Sequence, residues 1–253
     1  MRRLIASLAL CVLASGASAE DLVSGLSQDQ IQITSNYAGT DIVVFGAIES
    51  PETSETAGGM RDVVVVVRGP DADFAVRRKA RVAGIWINRN KISLYGMPAY
   101  YYAASTRPLS KIASADTLAQ YQIGLANLRP KGESTRSPRK GEPFRLAAIR
   151  LRERQKLYAE APAGVEFLGY SLFRVRVPVP ASVATGEYAV QVYLFRDGNV
   201  VSAQTTPLFV DQIGLERRLF RFAHGRPYAY GLATVAVAML LGWGSSFLFR
   251  KQA

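Results

Sequence analysis

The sequence predicts a mainly β domain that carries a helical insertion and is followed by one transmembrane helix. Three observations lead there. Runs of alternating or β-branched residues, suited to pleated and half-buried surfaces, lie on both sides of the middle of the chain. Between them, over residues 114–158, the apolar period lengthens from two to three and four. Near the end, residues 228–249 run for 22 positions without a charge, which as a helix would extend about 33 Å, enough to cross a bilayer.

The opening residues set the compartment. Met1-Arg2-Arg3 is a short cationic start, residues 4–13 are apolar, and Ala17-Ser18-Ala19 offers the small residues that signal peptidase needs. Residues 1–19 therefore read as a cleaved secretory signal. Cys11 is a poor lipid-attachment site, because Leu10 precedes it where a small residue is required. Removing the signal takes the single cysteine with it and leaves no disulfide, thiolate or Cys-based metal chemistry. The formal charge of +11 falls to +9, 29 basic residues against 20 acidic. A cationic exported domain can meet anionic lipid, a polyanionic glycan or an acidic protein, and nucleic acid is not expected there.

The first strands follow. Gln30-Ile31-Gln32-Ile33-Thr34 alternates as a strand with one wet face should. DIVVFGAIE (41–49) and DVVVVVR (62–68) are denser in β-branched residues, which predicts strands covered on both faces. SPETSETAGG (50–59) is a polar loop; its acids Glu52 and Glu55 lack the spacing of a cation site. Arg77-Arg78-Lys79-Ala80-Arg81 is a basic strand end, residues 82–87 are apolar, Asn88-Arg89-Asn90-Lys91 has the composition of a turn, and residues 92–95 are extended again.

Tyr100-Tyr101-Tyr102 is the most unusual composition in this part of the chain. Three consecutive tyrosines cannot all face inward on either a strand or a helix, so at least one ring is expected at the surface or in a cleft, the alternative being a ring packed beneath a neighbouring loop. The period then changes: Leu118, Tyr121, Leu125 and Leu128 mark a helix over 114–128, capped by Ser114 or Asp116. KGESTRSPRKG (131–141) reads as a linker. A second helix begins near Pro143, with Phe144, Ala148, Leu151 and Tyr158 on one side and Arg145, Arg152 and Lys156 largely on another.

From Gly169 the β pattern returns. Phe173, Val175, Val177 and Val179 alternate with Leu172, Arg174, Arg176 and Pro178, and Asp197-Gly198 joins two further runs as a hairpin. Seven alternating strands, that hairpin and Tyr188 at the start of a late strand, in the place of a tyrosine corner, predict an immunoglobulin-like β-sandwich with a two-helix insertion. The domain spans 20–212 with its insertion at about 98–166. A basic juxtamembrane segment (213–227), the transmembrane helix (228–249) and a cytoplasmic tail (250–253) complete the chain. Tyr228, Tyr230 and Trp243 lie toward the ends of the span, where amphipathic rings favour the headgroup layer.

ITSNYAGTDIVVFGAI (33–48), DVVVVVRGP (62–70), RRKARVAGIWINR (77–89) and STRPL (105–109) resemble the putative transmembrane protein family of alphaproteobacteria over essentially the whole chain. The resemblance implies an inner-membrane protein with a periplasmic domain, and it implies no activity.

Catalytic equipment is sparse. His224 is the one histidine and lies beside the membrane segment, which rules out a two-His metal site and disfavours a Ser-His-Asp arrangement. No Gly-rich phosphate loop or Gly-x-Ser-x-Gly elbow is present, and no cofactor is implied. A carboxylate-based hydrolase needs only two acids brought together in space and is the weakest reading. The leading expectation is a non-enzymatic, membrane-tethered periplasmic module that assembles with another envelope protein, a transporter being one such protein. Its candidate contacts are Trp86, Tyr101, Tyr102 and Arg107. The alternative is a binder of anionic glycan or lipid headgroups of the inner membrane, through Arg77, Arg78 and Lys79 and through Arg217, Arg218 and Arg221. The signal places the soluble domain in the periplasm, although Arg217, Arg218, Arg221 and Arg226 then lie against the usual basic bias toward the cytoplasm.

Overall fold

The five valines at 63–67 are each at most 1 % exposed, which demands a strand covered on both faces, and the architecture follows from how that cover is built. The computed structural model describes residues 21–34, 37–49, 60–134, 138–212 and 222–249. They fall into two compact units, one built mainly on Ala38–Val210 and the other on Asp211–Ala253.

The first unit contains two packed sheets. One has the order β1-β3-β11-β10, from β1 (Asp21–Leu26), β3 (Thr40–Glu49), β11 (Leu172–Val179) and β10 (Val165–Phe167), all antiparallel. The other has the order β2-β13-β12-β4-β7-β9, from β2 (Gln30–Ile33), β13 (Asn199–Gln212), β12 (Gly186–Arg196), β4 (Arg61–Arg68), β7 (Tyr101–Ser105) and β9 (Tyr158–Pro162). A third, small sheet joins β5 (Asp71–Val82), β6 (Ile85–Pro98) and β8 (Gly132–Glu133).

The predicted alternation of β11 is present: Phe173, Val175, Val177 and Val179 are buried and face Gly46, Val44, Ile42 and Thr40 across the ladder. A Cβ on Gly46 would lie 2.5 Å from Phe173 Cζ and 2.6 Å from the Val23 carbonyl, so glycine is what lets the Phe173 ring cross β3. β3 departs from expectation, because its burial alternates and Phe45 is exposed. A single covered face suffices there. β4 is the strand covered twice. Val63, Val65 and Val67 share the face of Ala104 and Tyr102 toward the first sheet, and Val64 and Val66 share the face of Ser105 and Ala103 beneath the helices.

Those helices are α1 (Leu109–Ile112), α2 (Ala115–Gln120) and α3 (Pro138–Arg154), with a 3-10 turn at Leu125–Asn127. Three helices thus stand where two are expected. The helix expected over 114–128 stops after α2 because Gln122 (φ 51) and Gly124 (φ 94) turn left-handed. Ser114 is its cap, accepting the Thr117 N–H at 3.2 Å. α3 begins at Pro138, five residues before the expected start, so the linker expected at 131–141 is partly β8 and partly helix. Its buried residues include Ala148, Ile149 and Arg145, whereas Leu151 is exposed.

The chain re-enters the second sheet through β9, which runs parallel to β7 with Tyr158 opposite Tyr101. The helices are thereby a crossover between parallel strands, the kind of connection a parallel pair needs. The insertion narrows accordingly to residues 106–157, since 101–105 and 158–167 belong mostly to the two sheets.

At the other end of the second sheet Asp197 (φ 48) and Gly198 (φ 86) make the expected hairpin between β12 and β13. Tyr188, at the start of β12, donates its hydroxyl to the Ala184 carbonyl at 2.6 Å. The second unit carries α4 (Pro227–Phe249), within which residues 227–245 are long and apolar enough to cross a membrane, with a mean hydropathy of 1.3 and none of the span buried. The expected signal (1–19), the loop at 50–59, Arg217, Arg218 and Arg221, and the tail (250–253) lie outside the described residues.

Candidate functional site

The tyrosine run is core. Tyr100, Tyr101 and Tyr102 are all buried, which overturns the expectation that one ring reaches the surface and removes Tyr101 and Tyr102 as accessible contacts. A strand covered on both faces takes all three rings inward, and β7 is such a strand. Tyr100 and Tyr102 point to the first sheet and donate their hydroxyls to the carbonyls of Pro178 (2.5 Å) and Arg176 (3.2 Å) on β11. Tyr101 points the other way, beneath the helices. Its hydroxyl accepts the Gly124 N–H at 2.8 Å and donates to the Gln122 carbonyl at 3.3 Å. Burial raises its pKa, and it does the same to the neighbouring Tyr158, whose ring meets it edge-on with centroids 6.2 Å apart.

Arg107 is likewise engaged within the fold. Its Nε lies 2.8 Å from Asp62 Oδ1 and its Nη2 lies 2.6 Å from Asp62 Oδ2, while the Thr106 hydroxyl donates to the same carboxylate at 2.7 Å. Asp62 is buried at the start of β4, so the pair fixes the segment after β7 to that strand. The hydrogen bonds to Asp62 hold the guanidinium of Arg107 above its ordinary pKa.

The other described candidate contacts, Trp86, Arg77, Arg78 and Lys79, are exposed on the ribbon of β5 and β6. Its turn is Ala83-Gly84, with φ of 50 and 84, the left-handed pair that a two-residue hairpin turn requires. Residues 88–91, expected as a turn, lie instead within β6, and the ladder absorbs Arg89 as an extra residue in a bulge opposite the Arg78–Lys79 step. The inner half of the ribbon is packed: Val76, Leu94 and Met97 are buried, α3 lies against both strands, and Arg152 stacks 4.0 Å from the centre of the Phe74 ring.

The outer half is bare. Every residue from 81 to 91 is exposed, including Ile85 (67 %), Trp86 (66 %) and Ile87. With about 3.3 Å per residue, the turn stands roughly 20 Å beyond Val76. Around this apolar tip residues 77–91 carry Arg77, Arg78, Lys79, Arg81, Arg89 and Lys91 and no acid. The structure therefore brings Trp86 together with Arg77, Arg78 and Lys79 on one element and separates all four from the tyrosines. The turn itself is missed by sequence reasoning; Gly84, inside an apolar run, is the signal that marks it.

Asp41 and Glu153 line a separate cleft of about 550 Å3 with Lys156 and Tyr158. The Tyr158 hydroxyl is committed elsewhere, to the Pro98 carbonyl at 2.5 Å. Among the described residues no group of three or more His, Cys, Asp or Glu side chains is placed to hold a metal ion.

The model of the family described as "Putative transmembrane protein (Alph_Pro_TM)" matches residues 21–251, and the chain belongs to that family. No curated protein matches it.

Proposed function

We propose that this member of the family is a non-enzymatic interaction module anchored in the bacterial inner membrane by α4, with its β domain in the periplasm and its C-terminus in the cytoplasm. Its contact element for another envelope protein is the outer half of the β5–β6 ribbon. The observation that carries this is Trp86, two-thirds exposed between Ile85 and Ile87 at the end of a projecting hairpin. Large apolar side chains left in water at a protruding tip gain about 1.5–3 kcal/mol each when fully covered, and tryptophan is enriched among residues that dominate interfaces.

The domain is immunoglobulin-like in this reading. The order β1-β3-β11-β10 packed on β13-β12-β4-β7-β9 follows the A-B-E-D and G-F-C-C′-C″ arrangement of the variable type, and the Tyr188–Ala184 bond supports a tyrosine corner. The ribbon is then an insertion between C and C′, and the helices lie between C′ and C″.

A second reading, contact with anionic lipid or glycan, is favoured by the six cations of residues 77–91, a stretch that contains no acid. Salt separates the two, since polyanion contact weakens steeply with ionic strength and an interface with an apolar centre persists.

The test is in-cell photo-crosslinking from position 86, with position 201 on the exposed side of β13 as the control. Discrete protein adducts from 86 and none from 201, surviving high salt during capture, are expected. Equal adducts from both positions, or none from 86, would overturn the contact assignment. Reporter fusions after Ala253 test the topology, and a periplasm-active C-terminus would reverse it.

A further inference from the structure

Farther in along the same ribbon, its strands and the first turns of α3 enclose an open cleft of about 710 Å3. Arg78, Arg89, Lys91 and Lys140 line it, among the described residues no carboxylate does, and Asn90 and Ser134 add neutral hydrogen-bonding groups. Three separate segments converge to make it. On β5 and β6 the bulge inserts Arg89 opposite the Arg78–Lys79 step, next to Asn90, which pairs with Arg78. The pairing of β8 with β6 carries Ser134 to Ser93, whose N–H donates to Ser134 Oγ at 2.9 Å and leaves the hydroxyl hydrogen able to point into the cleft. α3 contributes Lys140 from its first turn and Pro143 with Phe144 from its second.

Of the acids beside the cleft, Glu142 pairs with Arg145 at 2.6 Å, and Glu133 stands outside the lining with its carboxylate against Gly141. Among the described residues none of the four cations of the cleft forms an ion pair. Like charges gathered around one concavity repel each other, and an anion between them relieves that repulsion. The opposite character is also present, because Ile92, Pro143 and Phe144 give the cleft an apolar wall. The space exceeds what a bare phosphate fills.

We propose that this cleft binds a phosphate monoester or diester bearing a glycerol or other partly apolar substituent. That chemistry is shared by the headgroup of an anionic phospholipid and by a free phosphorylated small molecule. The arginines meet the phosphate oxygens as forks, the lysines as point charges, and Phe144 and Ile92 meet the substituent. The site does not depend on the partner contact at Trp86, and either can fail alone.

The experiment uses the full chain in a zwitterionic detergent, with bound ligand read by native mass spectrometry. The probes are short-chain phosphatidylglycerol, phosphatidylcholine of the same chain length, and glycerol phosphate. Retention of phosphatidylglycerol or glycerol phosphate over phosphatidylcholine is expected. Arg89→Gln with Lys140→Gln should lower retention by at least about tenfold, as the loss of two charge-assisted contacts requires. Lys111→Gln with Arg154→Gln removes the same charge from exposed residues that do not line the cleft, and should change retention by no more than about twofold. All four positions are exposed, so far-UV circular dichroism is expected to be unchanged.

Competition by glycerol phosphate would identify the free ester as a sufficient ligand. Binding of the phospholipid without such competition would identify the membrane lipid as the source, with Phe144→Ser then weakening it. Equal losses in the two double variants, equal retention of the two lipids, or no binding of any phosphate-bearing probe would each overturn the site.

Discussion

Replacing Tyr101 tests the packing of the domain most directly. Its side chain is 0 % exposed, and its hydroxyl satisfies the Gly124 N–H at 2.8 Å, holding in place the left-handed residues that end the first long stretch of helix. Two substitutions separate the ring from the hydroxyl. Tyr101→Phe keeps the ring and orphans a buried N–H, a loss of about 1–3 kcal/mol. Tyr101→Ala also empties the ring's volume between β4, β9 and the helices, for a total of about 3–5 kcal/mol. In a domain of this size each kcal/mol moves Tm by about 2–4 °C, so the alanine variant should melt roughly 6–20 °C lower and the phenylalanine variant about 2–12 °C lower. The assay is thermal unfolding of the full chain in detergent, followed by far-UV circular dichroism. An alanine variant melting within about 2 °C of the parent would show that the ring is not core and would return Tyr101 to the surface.

The tyrosines also predict a pH dependence. Burial raises Tyr101 and Tyr158 above their ordinary value of 10.0, so the folded chain holds these protons more tightly than the unfolded chain does. Their stabilisation is complete below that value and is lost as pH rises toward the folded ones; denaturant midpoints should fall above about pH 10 and fall less in Tyr101→Phe. Arg145 is buried and donates from Nη1 to the carbonyls of Ala126 (3.0 Å) and Leu128 (2.7 Å), so Arg145→Met should cost about 3 kcal/mol in chemical denaturation, with Arg145→Lys recovering less than half. Ala83 occupies φ 50, where asparagine or glycine fits better, and Ala83→Asn should stabilise the turn by about 1 kcal/mol, read as slower hydrogen exchange at Val82 and Ile85. No change in exchange would count against the left-handed turn.

Much of the sandwich is legible in local pattern because local physics decides it. β11 alternates because one face meets the first sheet's partner and the other meets water, and Asp197-Gly198 turns because both residues tolerate positive φ. The 22 uncharged residues near the end correspond to α4, since no amphipathic alternative exists for them. The losses come where tertiary context overrides the pattern. Nothing local says that Gln122 will leave the helix; that choice is fixed by the Tyr101 hydroxyl below it. The salt bridge of Arg145 to Glu142 is local, but nothing local says that Arg145 is buried, because the carbonyls it reaches, of Ala126 and Leu128, lie in and just after the preceding 3-10 turn.

Two triplets of large residues, Tyr100-Tyr101-Tyr102 and Ile85-Trp86-Ile87, sit only a dozen positions apart and have opposite fates. Their own composition does not separate them, and their neighbours do. β7 has β4 on one edge and β9 on the other, with the first sheet over one face and helices over the other, so every direction a side chain can take is already inside. The outer ribbon pairs only with itself, and an isolated two-stranded ribbon offers no face to bury a side chain against. Sequence carries a trace of this difference. Residues 96–104 around the tyrosines contain no charge, whereas residues 77–91 around Trp86 contain six cations. Charged flanks keep an apolar triplet out of a core, because burying it would draw unpaired cations in with it. Of the two triplets, the one left in water is therefore the one whose surroundings look least like a protein interior.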